Sequence, residues 1–279
     1  MRFIFKTNYA QDINMARHGG DRFWYGCLIL LMLAMPLLID DFYLGEISYI
    51  CILAIAGIGL MILTGYTGLA SLGHAAFLGV GAYTQAFLLT HGVPFYLSIP
   101  IVIVVSFLVG AAIGIPILRL TGMYLAIATL ALCFIAEHVF IRWEHFTGGN
   151  RGMPVPQPEM LGLSFYDSAT FYYFCLFFLI ASMLVAINIL RSPTGRAFVA
   201  IRDSEIAAQS LGVNLGIYKA LSFAISGAFT GLAGALLAHY IGYLAPDIFN
   251  IFLSLTLLLL IVVGGMGSLH GTIFGAIFV

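Results

Sequence analysis

Residues 191–219 read RSPTGRAFVAIRDSEIAAQSLGVNLGIYK, and this polar stretch organises the chain because it separates two strongly apolar segments. It contains residue types that begin and end helices: Ser192 and either Asp203 or Ser204 are suitable N-caps, and Gly212 is a typical stop. A run with several such signals is predicted to fold into short helices. We therefore expect a structured loop that is held against one face of a membrane.

The remainder of the chain is strongly apolar. Hydrophobic residues make up 62% of the 279 and charged residues 8%, with a mean hydropathy of +1.06. A soluble domain is about 45–50% apolar and about 25% charged. We therefore predict an all-α integral membrane protein, a polytopic bundle of about eight to nine transmembrane helices, some of them broken, with a helical loop at its cytoplasmic face.

The few polar groups exclude several function classes. A net charge of −1 provides no basic surface, so we expect no nucleic-acid partner. The four cysteines lie separately inside apolar runs, which indicates core residues rather than a redox or metal site. No second histidine or carboxylate stands at ligand spacing from His74 in the sequence, so we expect no metal and no cofactor.

The apolar runs divide the chain into a short leading segment and one long domain. Residues 1–22 carry four basic residues and are predicted to form a cytoplasmic N-terminal segment, and residues 23–279 are predicted to form one transmembrane domain. Residues 65–90 are apolar but rich in glycine, which fits either a full span or a broken helix. Val279 lies within an apolar run, so we expect the polypeptide to continue beyond it.

The basic residues predict the orientation, because cytoplasmic loops of membrane proteins carry an excess of Lys and Arg. We placed the N-terminus inside and counted each apolar run as one crossing. All but Arg142 and Arg151 of the eleven Lys and Arg residues then lie on the cytoplasmic side. This arrangement predicts that residues 191–219 are cytoplasmic and that the loop at 142–170 is outside.

Two similar glycine-rich stretches interrupt the spans. Residues 65–74 read GYTGLASLGH and residues 264–271 read GGMGSLHG. Irregular backbone at membrane depth is tolerated only where it is buried in protein or lines a water-filled cavity. One interpretation is a translocation path, for which the candidate residues are Gly68, Ser71, His74, Gly267 and Ser268. The alternative is close helix packing, which Gly110-x-x-x-Gly114, Gly227-x-x-x-Gly231 and Gly267-x-x-x-Gly271 also favour.

The sequence lacks the motifs of an energy-converting enzyme. It contains no Gly-x-x-x-x-Gly-Lys-Ser/Thr phosphate-binding loop and no Gly-x-Ser-x-Gly nucleophile elbow. Glu137, near the edge of a predicted span, is the only carboxylate inside one, whereas an ion-coupled carrier would normally have one at mid-depth. We therefore predict a transport subunit that is not itself an enzyme and whose energy comes from a partner.

Three segments together resemble the membrane permease subunits of branched-chain amino acid ABC importers: residues 65–77, residues 192–208 and residues 264–271. The resemblance implies a multi-pass protein of the bacterial inner membrane with a cytoplasmic N-terminus. It also implies three kinds of protein partner, namely two cytoplasmic ATPase subunits, a second homologous permease and a periplasmic or extracellular substrate-binding protein. The lipid bilayer surrounds the assembly.

The resemblance also implies where the ATPases dock. The family's coupling loop matches Asp203, Ser204, Glu205, Ala207, Ala208, Leu211 and Gly212. The spacing from Glu205 to Gly212 is one residue longer than the common form, which leaves the contact residue open. We expect the double substitution Asp203→Arg with Glu205→Arg to abolish transport while the subunit still inserts into the membrane.

The resemblance favours leucine, isoleucine and valine as substrates. Relatives that move urea or short amides are one alternative. An ion-coupled secondary amino acid transporter is another, but the missing mid-membrane carboxylate and the capped cytoplasmic loop favour the ATP-driven importer.

Overall fold

The structure is a computed structural model that describes residues 32–279 except 118–119, 121, 158, 161–162 and 165–166. The predicted N-terminal segment 1–22 and most of the first apolar run therefore lie outside the described residues. Residues 32–38 are helical and precede the first long helix.

Helices make up most of the described chain. In chain order they are α1 Asp41–Leu60, α2 His74–Thr90, α3 Phe95–Ile117, α4 Met123–Arg142, α5 Glu144–Thr147, α6 Ser168–Arg191, α7 Pro193–Asp203, α8 Glu205–Ser210, α9 Leu215–Ile241, α10 Ile251–Gly264 and α11 Leu269–Phe278. A π-helical turn, Met61–Tyr66, continues α1, and 3₁₀ turns lie at Gly149–Arg151 and Pro246–Phe249.

Two short antiparallel ladders complete the described structure. β1 Met153–Pro154 pairs with β4 Tyr243–Leu244, with Met153 opposite Leu244. β2 Glu159–Met160 pairs with β3 Leu163–Ser164. Each strand has two residues, so the molecule remains an all-α protein in architecture.

The described helices confirm a multi-pass membrane protein but do not confirm eight to nine spans. Five are long and apolar enough to cross a membrane, and the pair α10 and α11 raises the number to six if it counts as one span. That pair is bent by 118° at its break, where the sequence predicted two separate spans. α2 has 17 residues, about 26 Å at 1.5 Å per residue, and is shorter because it begins at a break.

Helices α1 and α9 form the centre of the bundle. In the most apolar 18-residue stretch of each, 78% is buried inside the protein, against 22% in α4 and 28% in α6. α9 packs against α1, α2 and α3, and α1 packs against α6 and the bent pair. The outer helices therefore present apolar side chains to lipid, and the polar groups of the centre have protein neighbours.

The helix crossings are close because glycines meet backbone. A Cβ atom added at Gly81 would lie 2.1 Å from the carbonyl oxygen of Gly231, and one added at Gly234 would lie 2.1 Å from that of Leu78. α2 and α9 thus touch through their main chains. The packing expected of Gly110 is also confirmed, since a Cβ there would lie 2.6 Å from a carbonyl oxygen of α9.

The connections gather at the two ends of the bundle. At one end, residues 65–73, the segment 191–214 and the turn at 265–268 lie together, as their contacts with Arg202 show. At the other end, β1 and β4 join the loop after α4 to the turn after α9. Residues 191–214 and the loop after α4 therefore lie at different ends, as the charge count predicted. The assignment of the first end to the cytoplasm stays a prediction.

Candidate coupling and translocation site

The segment after α6 folds into two short helices, as the capping signals predicted. α7 begins at Pro193 and ends at Asp203. Ser204 rather than Asp203 is the N-cap of α8, because its Oγ accepts a hydrogen bond from the N–H of Ala207 at 3.3 Å. Gly212 has a positive φ of 84°, which favours glycine and ends the helical segment. The local chain is therefore fixed by its own capping groups.

Helix α8 has one buried and one exposed face. Ala208 is 1% exposed and points into the protein, whereas Ile206 and Leu211 are each 81% exposed. Of the predicted coupling residues, Ala208 is thus unavailable to a partner, while Leu211 is fully presented. Sequence reasoning did not include Ile206, although a large aliphatic residue in a polar loop is a usable signal.

Glu205 is bonded within the chain. Its carboxylate lies 2.7 Å from the ammonium of Lys219, whose side chain is only 5% exposed in the first turns of α9. Opposite charges at this distance attract, and the pairing offsets the cost of burying the ammonium. Glu205 therefore anchors α8 to α9, and its predicted contact with a partner stays a prediction.

Arg202, near the end of α7, meets both glycine-rich stretches. Its Nε and Nη2 donate to Asp203 Oδ1 at 3.2 and 3.1 Å, and its Nη1 donates to the carbonyl oxygen of Gly65 at 3.2 Å. Its side chain lies over Gly68, where an added Cβ would be 3.1 Å from its Cγ. Nη1 also lies 3.8 Å from the Cβ position of Gly267.

The first glycine-rich stretch is a break between α1 and α2. Gly68 has a positive φ of 75°, and α2 begins at His74. The side chain of His74 is fully buried, with Nδ1 3.0 Å from Ser71 Oγ and Nε2 2.7 Å from Ser226 Oγ of α9. A neutral imidazole has one donor and one acceptor, so in either tautomer one serine donates and the other accepts.

Two further hydroxyls satisfy the backbone of this break. The N–H of Leu72 donates to Thr129 Oγ1 of α4 at 3.0 Å, and the N–H of Ala75 donates to Ser254 Oγ of α10 at 2.9 Å. The first N–H groups of a helix have no partner within the helix, and lipid supplies none. The break is therefore held by side chains from three other helices.

The second glycine-rich stretch is the bend between α10 and α11. A Cβ at Gly264 would lie 1.9 Å from the carbonyl oxygen of Gly271, and one at Gly275 would lie 1.9 Å from that of Leu260. Ser268 caps α11 by accepting from the N–H of Gly271 at 3.2 Å. The two helices thus fold back on each other with main chain against main chain.

An open cavity of about 330 Å³ adjoins this bend. Residues from the π-helical turn after α1, the end of α6, the bend and the start of α11 line it, among them Tyr66, Leu190, Arg191, Gly267, Ser268 and His270. Gly267 and Ser268 therefore border an accessible space, whereas Ser71 and His74 lie in a closed hydrogen-bonded cluster.

Comparison with known proteins gives the family. The profile described as "Branched-chain amino acid transport system / permease component" matches residues 43–279. This chain belongs to that permease family. No solved structure shows significant similarity to it.

Individual relatives of this permease agree with the family. The high-affinity branched-chain amino acid transport system permease protein LivM of Escherichia coli is 35% identical over 276 residues, which cover 90% of this chain and 65% of LivM. LivM of Salmonella typhimurium is 34% identical over the same shares. The autoinducer 2 import system permease protein LsrC of Salmonella typhi is 27% identical over 54% of this chain and 43% of its own. The permease chain thus spans about 65% of the length of the two LivM proteins.

The structure brings the predicted path residues of this permease into two groups. Gly68 and Gly267 lie beside the Arg202 side chain, with Ser268 next to Gly267 at the bend. Ser71 and His74 belong to the cluster at the start of α2. Sequence reasoning missed the hydroxyls that complete the cluster, which are Ser226, Thr129 and Ser254. Single Ser and Thr residues within very apolar spans are the signal that would have found them. In the described part of the chain, no three His, Cys, Asp or Glu residues are grouped to hold a metal ion.

Proposed function

We propose that this chain is a transmembrane permease subunit of an ATP-driven importer for branched-chain amino acids, coupled to cytoplasmic ATPase subunits through α7 and α8. The observation that carries the proposal is the exposed aliphatic pair Ile206 and Leu211, which lie on a capped helix and at its C-terminal end. This helix is fastened to the spans. Exposed apolar surface that is rimmed by polar residues marks interaction sites, and Ile206 and Leu211 stand among the exposed residues Asp203, Ser204, Gln209 and Ser210.

The ion pair between Glu205 and Lys219 connects the docking helix α8 to the spans. Glu205 ties α8 to α9 through Lys219, and α9 is the central helix of the bundle. A partner that binds α8 more tightly in one of its own conformations shifts the bundle toward the matching conformation. ATP-driven closure of an ATPase pair is such a change, and it alternates the bundle between inward- and outward-facing states.

The proposed assembly contains two ATPase subunits, a second homologous permease and a binding protein outside the inner membrane. The proposed translocation path runs past the two breaks. Gly267 and Ser268 border the open cavity at the second break, and the closed cluster of Ser71 and His74 supports the first break beside Gly68. Membership of the permease family and the identity to LivM proteins support leucine, isoleucine and valine as the substrates. The second break suits such substrates because Gly267 and Ser268 border an open cavity, where polar groups can meet an ammonium or a carboxylate.

The docking surface is tested by placing charge on it. We expect Ile206→Asp with Leu211→Asp to remove the ATPase subunits that co-purify with a tagged chain from its host's membranes. Both side chains point away from the protein, so insertion and folding remain unchanged. ATP-dependent uptake of radiolabelled leucine by membrane vesicles is expected to be lost with the ATPases.

Ile217→Asp is the matched control, because Ile217 is also aliphatic and 63% exposed but lies on α9 outside the docking helix. It is expected to retain the ATPases. Full co-purification and uptake in the double variant would contradict the assignment. The substitution Glu205→Arg is a poorer test, since it also leaves the buried Lys219 beside a second cation.

A further inference from the structure

We propose that Arg202 is the positioning residue that transmits movement of the coupling segment, α7 and α8, to the two helix breaks. This inference rests on the proposed function, and it assigns Arg202 a role beyond holding the segment on the cytoplasmic face. Three separate pieces of backbone meet at its side chain: the end of α7, the break after α1 and the bend between α10 and α11.

The hydrogen bond to Gly65 places the guanidinium at the end of a helix. Gly65 belongs to the π-helical turn that ends α1, where carbonyl oxygens lack a partner within the helix. Carbonyl groups at this end also carry the negative pole of the helix dipole, which favours a cation. The 3.2 Å bond from Nη1 therefore links α7 to the central helix α1 by charge as well as by hydrogen bonding.

Two glycines provide the space for the side chain. At Gly68 an added Cβ would lie 3.1 Å from Cγ and 3.3 Å from Cα of Arg202, so the aliphatic stem lies directly on the break. At Gly267 the corresponding distance to Nη1 is 3.8 Å. Both glycines have positive φ angles, 75° and 92°, which residues other than glycine rarely adopt. Displacement of Arg202 thus acts on the backbone of the first break, and its guanidinium lies beside the second.

The two breaks also contact each other. A Cβ at Gly65 would lie 3.0 Å from the backbone nitrogen of Gly267, whose N–H points to Met61 Sδ at 3.2 Å. Beyond Gly68, the chain continues through Ser71 to His74, which is bonded to Ser226 of α9. Movement at Arg202 therefore reaches the polar cluster through six residues of connected backbone, 68–73.

The contact needs an arginine in particular. Asp203 accepts from Nε and Nη2 on one edge of the guanidinium, which leaves Nη1 directed at Gly65. A planar guanidinium can serve both acceptors at fixed angles, whereas an ammonium is a single point of charge. Asp203 thus orients Arg202, and a lysine at this position would retain the charge but lose the geometry.

The test measures backbone movement in the complex with and without ATP. The tagged chain is purified with its partners into lipid nanodiscs, and amide hydrogen exchange is followed at residues 193–212 and 65–73 with Mg-ATP and vanadate. In the wild-type complex, exchange changes in both segments. In Arg202→Ala we expect the ATPases and the change at 193–212 to remain, while the change at 65–73 falls about tenfold, within the range of allosteric coupling.

Arg196→Ala is the matched control, because Arg196 lies on the same helix and bonds the carbonyl of Arg191, five residues away, at 3.2 Å. It is expected to keep the change at 65–73. Arg202→Lys is expected to show an intermediate loss, and it decides the question if Arg202→Ala is not recovered from the membrane.

Two results would overturn the inference alone: a full change at 65–73 in the Arg202 variants, or an equal loss in Arg196→Ala. If no ATPase accompanies the wild-type chain, the proposed function fails, and the inference fails with it.

Discussion

At the scale of single residues, the pair Glu205 and Lys219 is asymmetric. The side chain of Lys219 is 5% exposed and that of Glu205 is 35% exposed. Removal of the carboxylate leaves a buried ammonium without its counter-ion, which is costly, whereas removal of the ammonium leaves a carboxylate that water still reaches. The two partners of one ion pair therefore contribute unequally to stability.

We expect Glu205→Gln to lower the free energy of unfolding by about 1–3 kcal/mol, and Lys219→Met to lower it by less. The double variant is expected to resemble Lys219→Met, because no buried charge remains. Thermal unfolding of the purified chain in mild detergent measures all three.

Asp203→Asn provides a comparison for this pair, since Asp203 and Arg202 are 65% and 40% exposed and their ionic contact is worth about 0–1 kcal/mol. A larger loss in Lys219→Met than in Glu205→Gln would contradict the asymmetry.

At the scale of helices, the crossing of α2 and α9 depends on the absence of side chains. A Cβ atom added at Gly234 would lie only 2.1 Å from the carbonyl oxygen of Leu78, too close for any side chain. Because the neighbour is backbone rather than a flexible side chain, it can give way only if the helices separate. The same crossing brings Ser226 of α9 to His74 of α2, so the helix spacing also sets that hydrogen bond.

Gly234→Ala is therefore expected to destabilise the protein by about 1–3 kcal/mol, despite the higher helix propensity of alanine. Its apparent melting temperature in detergent should fall. Gly45→Ala in α1 is the control, because nothing lies within 4 Å of a Cβ there, and it should be neutral or stabilising. Equal behaviour of the two variants would exclude close packing as the reason for Gly234.

The helix starts and stops were predictable from sequence because capping is local. Ser204, Asn214 and Ser268 each accept a hydrogen bond from an N–H three residues further on. The partners of the break were not predictable in this way. Ser226 is 152 positions from His74, and Arg202 is 137 positions from Gly65, and no local pattern specifies such contacts.

The same distinction explains the span count. Hydropathy registers apolar length, and residues 251–264 and 269–278 are both apolar. Whether they are two spans or one bent pair depends on contacts between Gly264, Gly271 and Gly275 that only the folded chain defines. For α8, the sequence predicted the helix but not its exposed face, because Ala208 is buried by tertiary packing.

At the scale of the whole molecule, the connections are sorted between two ends, and the basic residues predict which end is cytoplasmic. We expect Gln209→Cys to react with a membrane-impermeant maleimide only from the cytoplasmic side, in inverted vesicles. Asn150→Cys is expected to react only from outside, in spheroplasts. Both parent residues are exposed, and the cysteines within the described residues are buried.

The parent chain, which has its own cysteines, is the background control for the labelling, and the chain is expressed without partners so that nothing covers Gln209. Labelling of both positions from one side would contradict the placement of these two connections at opposite ends of the bundle. Labelling of each position from the side opposite to the expected one would show that the orientation is reversed, while the fold would still be correct.

The hydrogen bonds of the first break join residues that are synthesised at different times. Membrane insertion follows synthesis from the N-terminus, so Gly65, His74 and Ala75 enter 137, 152 and 179 positions before Arg202, Ser226 and Ser254. Until α7, α9 and α10 arrive, these groups need water or another protein as their partner. A half-synthesised bundle therefore contains polar groups at the first break whose hydrogen-bond partners are supplied only by the later helices.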